Sequence, residues 1–180
     1  MTLDWNVVVS ARERGFTMAR ELLSAYGPVQ KTGYYNILVM KVASPAAFLA
    51  ELEQRLQLNR DLLAYVSRIA PVAYAFDFEG PEDFERRMQA SLIALPSELL
   101  GKTFHVRMHR RGLKGVISSP AEERILDECL LRLLLERGTP GAIRFDDPDA
   151  VVDVETIDHR AGIALWTRED LRRYPFLRPE

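Results

Sequence analysis

Apolar and polar positions follow two different rhythms along this chain, and the switches between them outline its elements. Residues 5–10 are valine-rich and stop at the charged run Arg12-Glu13-Arg14, which predicts a strand. Residues 16–26 then place Met18, Leu22, Leu23 and Tyr26 at helical spacing, with Gly27-Pro28 as a terminator. Two strands are expected at 29–34 and 37–42, joined as a hairpin near Tyr35-Asn36. Ser44-Pro45 opens a helix, with serine as cap and proline preset in the first turn, and Phe48, Leu49, Leu52 and Leu56 form its apolar face. Residues 59–63 have no clear period. Residues 65–76 complete the first half as one strand, where Pro71 points to an edge position or a bulge. The order strand-helix-strand-strand-helix-strand is that of a ferredoxin-like split βαβ unit.

Glu79-Gly80-Pro81 marks the expected boundary, giving domains of 1–79 and 80–180. Beyond it, Phe84, Met88, Leu92 and Leu95 share one helical face and Pro96 ends the pattern. A strand is expected at 102–110, then a loop rich in glycine and base. Ser119-Pro120 opens the longest predicted helix, in which Ser119 and Glu122 have capping-box spacing. Ile125, Leu126, Leu130, Leu133 and Leu134 supply its apolar surface, and Gly138 ends it. Strands at 151–157 and 161–166 flank a turn at Asp158-His159-Arg160, and a basic turn, Leu171-Arg172-Arg173-Tyr174, precedes Pro175. The expected class is α+β.

Composition narrows the function classes. Over 180 residues, 47% are hydrophobic and 28% charged, as in an ordinary globular protein with an adequate core. No apolar run is long enough to span a bilayer. The start, Met1-Thr2-Leu3-Asp4-Trp5, lacks the basic stretch and apolar core of a signal peptide. The single cysteine, Cys129, offers neither an internal disulfide nor a metal cluster, and its leucine-rich surroundings suit a buried, inert thiol. A cytoplasmic location is expected. Net charge is −2, so binding to nucleic acid by bulk positive charge is excluded and any such role needs a local basic patch.

Such a patch exists between residues 102 and 114. It holds Lys102, His105, Arg107, His109, Arg110, Arg111 and Lys114 with no acidic residue among them. Strand alternation puts Phe104, Val106 and Met108 on one face and His105, Arg107 and His109 on the other. The loop Arg111-Gly112-Leu113-Lys114-Gly115 has glycines that let backbone approach a phosphate, and guanidinium forks suit phosphate oxygens. The helix that follows offers a weak anion site at its N-terminus, partly filled by Glu122 and Glu123. By itself the segment fits a solvated strand edge, guarded by Lys and Arg, better than it fits a ligand site.

From Lys102 onward the sequence resembles a THUMP domain, a module of transfer-RNA-modifying proteins. The resemblance lies in Phe104-His105-Val106-Arg107, Arg110-Arg111-Gly112, the helix of residues 119–138, Phe145-Asp146-Asp147-Pro148-Asp149 and Val152-Asp153-Val154-Glu155. The stretch 169–176 is similar to the tail of stand-alone THUMP proteins that assist cytidine acetylation, and the first half is similar in layout to the ferredoxin-like domain that often precedes THUMP. The resemblance implies a chain that holds the acceptor end of tRNA, with its two domains setting a distance to the modified nucleotide. It implies RNA contacts at Lys102, Arg107, His109, Arg110, Arg111 and Lys114, with Arg172 and Arg173 as further candidates. Asp146, Asp149 and Glu155 match the pattern and are expected to be structural.

THUMP is usually fused to a catalytic domain, and no such domain fits here, so a tRNA-modifying enzyme such as an acetyltransferase is expected to act in trans. No DNA or membrane partner is expected. No nucleophile–base pair, dinucleotide loop or phosphate-binding loop is visible, so no enzyme activity or cofactor is predicted. His105 and His109 lack the further ligands a metal site demands. Tyr34-Tyr35 could stack on a base, although such a pair is more often half core and half surface. The competing class is a protein–protein adaptor or small-molecule sensor of ferredoxin-like type, pairing edge to edge through Ile37-Leu38-Val39-Met40.

Overall fold

A computed structural model describes residues 3–178, so the first two and last two positions of the expected domains lie outside the described residues. The chain is α+β, and its contacts divide it into two units, residues 3–73 with 174–178 and residues 74–173.

In the first unit, strand β1 (Val7–Ala11) leads to helix α1 (Phe16–Leu23), strands β2 (Val29–Lys31) and β3 (Ile37–Met40), helices α2 (Pro45–Leu58) and α3 (Leu62–Tyr65), and strand β4 (Val66–Pro71). The sheet order is β2-β3-β1-β4, and every neighbouring pair is antiparallel. Each split βαβ unit therefore encloses a strand of the other, which is the expected ferredoxin-like topology. Ser44 caps α2 through the Ala47 amide at 3.2 Å, and Phe48, Leu49, Leu52 and Leu56 are its buried residues. Pro71 ends an edge strand, where its missing N–H costs no ladder bond. The β2–β3 hairpin turns through Asn36 in the left-handed region, φ 57°.

Four expectations need correction here. The buried residues of α1 are Ala19 and Leu23, while Met18 lies at the surface; the helix starts at Phe16 as expected but ends at Leu23, short of Tyr26. Residues 65–76 are not one strand: β4 ends at Pro71, and Tyr74–Asp77 forms β5, which belongs to the other sheet. The expected boundary at 79/80 thus moves to 73/74, and the turn Pro175–Leu177 packs back on β4 with Phe176 and Leu177 buried. Finally, Ile37–Met40 is an interior strand flanked by β2 and β1, so its backbone is already paired and it cannot serve as a dimerising edge.

The second unit contains β5, helix α4 (Pro81–Leu92), strand β6 (Thr103–Arg111), helix α5 (Ser119–Glu136), strands β7 (Ala142–Ile143), β8 (Ala150–Ile157) and β9 (Arg160–Thr167), and helix α6 (Arg168–Arg173). Its sheet runs β5-β9-β8-β6-β7, with β6 parallel to both β8 and β7. Phe84, Met88 and Leu92 of α4 and Leu126, Leu130 and Leu134 of α5 bury against Phe104, Val106, Val152, Val154 and Ile163 of the sheet.

The N-terminus of α5 departs from the capping box. Ser118, one residue earlier than expected, accepts the Ala121 amide, and Glu122 is buried at 5% exposure next to Glu85 of α4. Burial pushes the Glu122 carboxyl up to about 7, and the charge of Glu85 adds to the shift. A carboxyl whose folded pKa is raised favours the fold while protonated, and that contribution is lost as pH rises from 4.5 through about 7. Asp127, pushed up to about 6 mainly by burial, acts with the same sign. Denaturant melts are therefore expected to show stability falling between pH 5 and 8. Glu122→Gln should flatten that slope and be more stable than the parent at pH 8, by on the order of 2 kcal/mol.

Candidate nucleic-acid interface

The alternation read from the sequence of β6 holds in three dimensions. Phe104, Val106 and Met108 are buried in the core, whereas Arg107 is exposed and His105, His109 and Arg111 are half-buried. Because β7 is only two residues long, the strand edge beyond Phe104 has no strand partner on that side among the described residues. Helix α5 supplies one: Asp127 accepts the Val106 amide and Glu123 the Met108 amide, both at 2.8 Å.

Apart from Arg107 and His109 along its length, the candidate cations lie toward the two ends of β6, about 26 Å apart for a strand of this length. At the C-terminal end, Arg110 donates to the Gly112 carbonyl, and the loop turns through Gly112, Leu113 and Gly115 at φ 87°, 53° and 79°. Lys114 on this loop is exposed. Arg110, residues 115–119 and Pro120 line an open hollow of about 340 Å³ at the start of α5. At the N-terminal end, Lys102 is exposed and Asp149 locks the strand entry. Its carboxylate accepts the Thr103 amide at 2.9 Å and hydroxyl at 3.0 Å, while its own amide donates back to that hydroxyl at 3.0 Å. The Thr103 amide, above all, holds the Asp149 carboxyl below the usual carboxylate range. Arg168 bonds Asp147, which sits at φ 46° in the turn, so these aspartates shape backbone. Helix α6 follows from the β9 end that lies in register with Ala150, so exposed Arg172 and Arg173 belong to this N-terminal end.

Two of the expected RNA contacts have partners within the fold. Arg111 Nη1 is 2.7 Å from Glu155 Oε2, and His109 Nδ1 is 3.4 Å from both Asp153 and Glu155. Asp153 and Glu155 have 0% exposure, and buried carboxylates are tolerated only when compensated. The parallel register sets His109 opposite Glu155 and Arg111 opposite Ile157, which brings both side chains beside these carboxylates. The sequence shows His109 and Arg111 only as basic positions of β6; the structure sets both beside the buried carboxylates of β8, a proximity that depends on long-range strand pairing.

His109, Asp153 and Glu155 also bring their ligand atoms within 4.8 Å of one another, close enough for a metal ion. The Arg111 guanidinium already lies against one Glu155 oxygen, which makes the set fit internal charge compensation better than a cation.

Arg144 and Phe145, just after β7, were not singled out as contacts. Phe145 is 76% exposed, and its ring packs against His105, with centroids 5.5 Å apart and planes tilted by 33°. Burial, and to a lesser degree the neighbouring Arg107, holds the His105 imidazole below its ordinary pKa against the opposing pull of Glu123. An aromatic between Arg144 and Asp146, in a polar turn, was the available signal.

No protein-family profile matches the sequence, and no curated protein matches it. Solved structures do resemble it in fold. PH1313 from Pyrococcus horikoshii Ot3 matches with a TM-score of 0.60 at 13% identity, over 89% of this chain and 53% of that one. TrmN from Thermus thermophilus matches at 0.59 and 19% identity, over 88% and 44%. A 4-thiouridine synthetase in complex with RNA and bound ATP matches at 0.55 and 16% identity, over 89% and 40%. The chain spans about half the length of these proteins or less. At such identities the likeness is one of fold, and it defines the class: an α+β chain with a ferredoxin-like unit followed by a THUMP-like one. No helix among the described residues is long and apolar enough to cross a membrane.

Arg111→Ala removes the guanidinium from fully buried Glu155. It should cost on the order of 2 kcal/mol or more in chemical denaturation, whereas Arg107→Ala, at the surface, should cost less than about 0.5 kcal/mol. Equal costs would contradict the structural role given to Arg111.

Proposed function

We propose that this chain binds RNA through β6 and its flanking turns, and that its substrate is the acceptor end of tRNA, held for a modifying enzyme acting in trans. The observation that carries the reading is the line of exposed cations Lys102, Arg107 and Lys114 along one strand and its loop, in a fold similar to that of a synthetase solved with RNA. Arg110 adds a guanidinium at the hollow beside α5, where helix amides favour an anion. Arg172 and Arg173 extend the basic surface at the opposite end.

The role is positional. Phosphate contacts fix register and orientation, and shape with unpaired nucleotides gives selectivity. The chain is an accessory on this reading, and cytidine acetylation is the chemistry it would serve, on the strength of the sequence resemblance at residues 169–176. With His109 and Arg111 engaged internally, few phosphates are neutralised. Affinity for the isolated chain is then modest and falls with salt.

The test is binding of purified protein to tRNA across a salt series, beside an Arg107→Glu/Lys114→Glu variant whose altered side chains both lie at the surface. The expected result is salt-dependent binding, weakened about 10-fold or more in the variant at low salt. No binding by the parent protein at low salt would sink the reading.

A further inference from the structure

We infer that Phe145 and His105 form a stacking platform for one unpaired nucleobase of the bound RNA. This deepens the RNA-binding reading above and rests on it. The ring of Phe145 is 76% exposed, one of the largest apolar exposures among the described residues, yet it is not loosely placed. His105 lies beside it, with ring centroids 5.5 Å apart and planes tilted by 33°, while most of the Phe145 ring remains open to solvent. The Arg144 amide donates to the Phe104 carbonyl at 3.0 Å and fixes the backbone entering this turn. The far side of the turn is fixed by Asp149 on Thr103 and by Arg168 on Asp147. With the backbone fixed on both sides of Phe145 and His105 against its ring, less freedom remains to be lost when a ligand covers it, which favours stacking.

The chemistry around the ring selects the occupant. His105 is held toward its neutral form, and its Nδ1 is buried without a hydrogen-bond partner, so it acts here as an aromatic surface. Exposed Arg144 precedes the ring, and Arg107 follows His105 two positions along the same face of β6. A flat apolar face flanked by guanidinium groups matches a base attached to a phosphodiester backbone, since every base has a π-face and every linkage a negative charge. Asp146 follows the ring and Glu123 lies 3.9 Å from Arg107, so the local field is not uniformly positive. Such a surface holds a base at one position better than it coats a backbone. The ring stands singly between charged neighbours in the turn, which suits one base more than an apolar protein surface.

The experiment compares two hairpin RNAs, one blunt and one with an unpaired 3′ tail carrying 2-aminopurine, against parent protein, Phe145→Ala and Phe145→Trp. The parent should bind the tailed hairpin more tightly and quench the 2-aminopurine. Phe145→Ala should lose the quench and about 10-fold in affinity for the tailed RNA, the scale of one base–aromatic stack, while binding the blunt hairpin as before. Phe145→Trp should retain both signals. Since the side chain is exposed, thermal melts of the three proteins should coincide. If the parent binds RNA but Phe145→Ala matches it in affinity and quench, the platform is refuted and the RNA-binding reading stands. If the parent binds neither hairpin at low salt, both are refuted.

Discussion

Parallel pairing of β6 with β8 is the constraint on which the second unit depends. Parallel neighbours cannot be joined by a tight turn, so a crossover is required, and α5 is that crossover. The same geometry leaves most of one β6 edge without a strand, since β7 pairs only with Thr103 and Phe104. Unmet amides at Val106 and Met108 would be costly beside a packed helix. They meet Asp127 and Glu123 instead. Carboxylates four residues apart on a helix are separated by about 6 Å of rise, and amides two residues apart on a strand by about 6.6 Å. The spacings agree, and the pairing runs in opposite directions along the two elements, as a returning crossover demands. The helix therefore closes the edge to further strands, fixes its own register on β6, and leaves the opposite face of that strand to charged residues.

How much of this could be read from the sequence depends on whether the signal was local. The alternation of β6 was legible because Phe104, Val106 and Met108 mark one face against a run of charged residues. The cap of α2 was legible because Ser44 stands directly before Pro45. The same Ser-Pro pattern misled at α5, where Pro120 occupies the second helical position and Ser118 is the cap. Residues 65–76 looked continuous because β4 and β5 are both apolar and only two residues separate them. Nothing within that stretch states that Tyr74–Asp77 pairs with β9 across nearly ninety positions. The interior place of β3 was equally hidden, since an apolar strand of four residues reads alike at the edge and in the middle of a sheet.

The candidate site shows the same division in electrostatic form. Counting Lys and Arg along residues 102–114 finds the basic strand but not the carboxylates that share its cations. Asp153 and Glu155 arrive from β8, some forty-five residues later, and reach Arg111 and His109 only through the parallel register. Their burial makes the Arg111 guanidinium, and the His109 ring beside them, part of the fold. The basic segment is therefore a mixture: alternate positions serve the interior, and Lys102, Arg107 and Lys114 face outward. A motif identifies residue types, whereas burial decides which of them remain available to a ligand.

That mixture bears on what kind of RNA holder the proposed function describes. A chain with net charge −2 gains little from long-range attraction to a polyanion, and its internal ion pairs reduce that gain further. Selectivity then has to come from contacts that depend on position more than on charge. The rigid turns at Gly112 and Asp147 offer such contacts, because each is fixed by hydrogen bonds to β6 or to α6 and not by the ligand. Cations at the two ends of a stiff strand can engage phosphates only when the RNA backbone has the matching separation. On this reading, shape complementarity along β6 sets which RNA is held, and modest phosphate affinity lets it be released once a partner enzyme has acted.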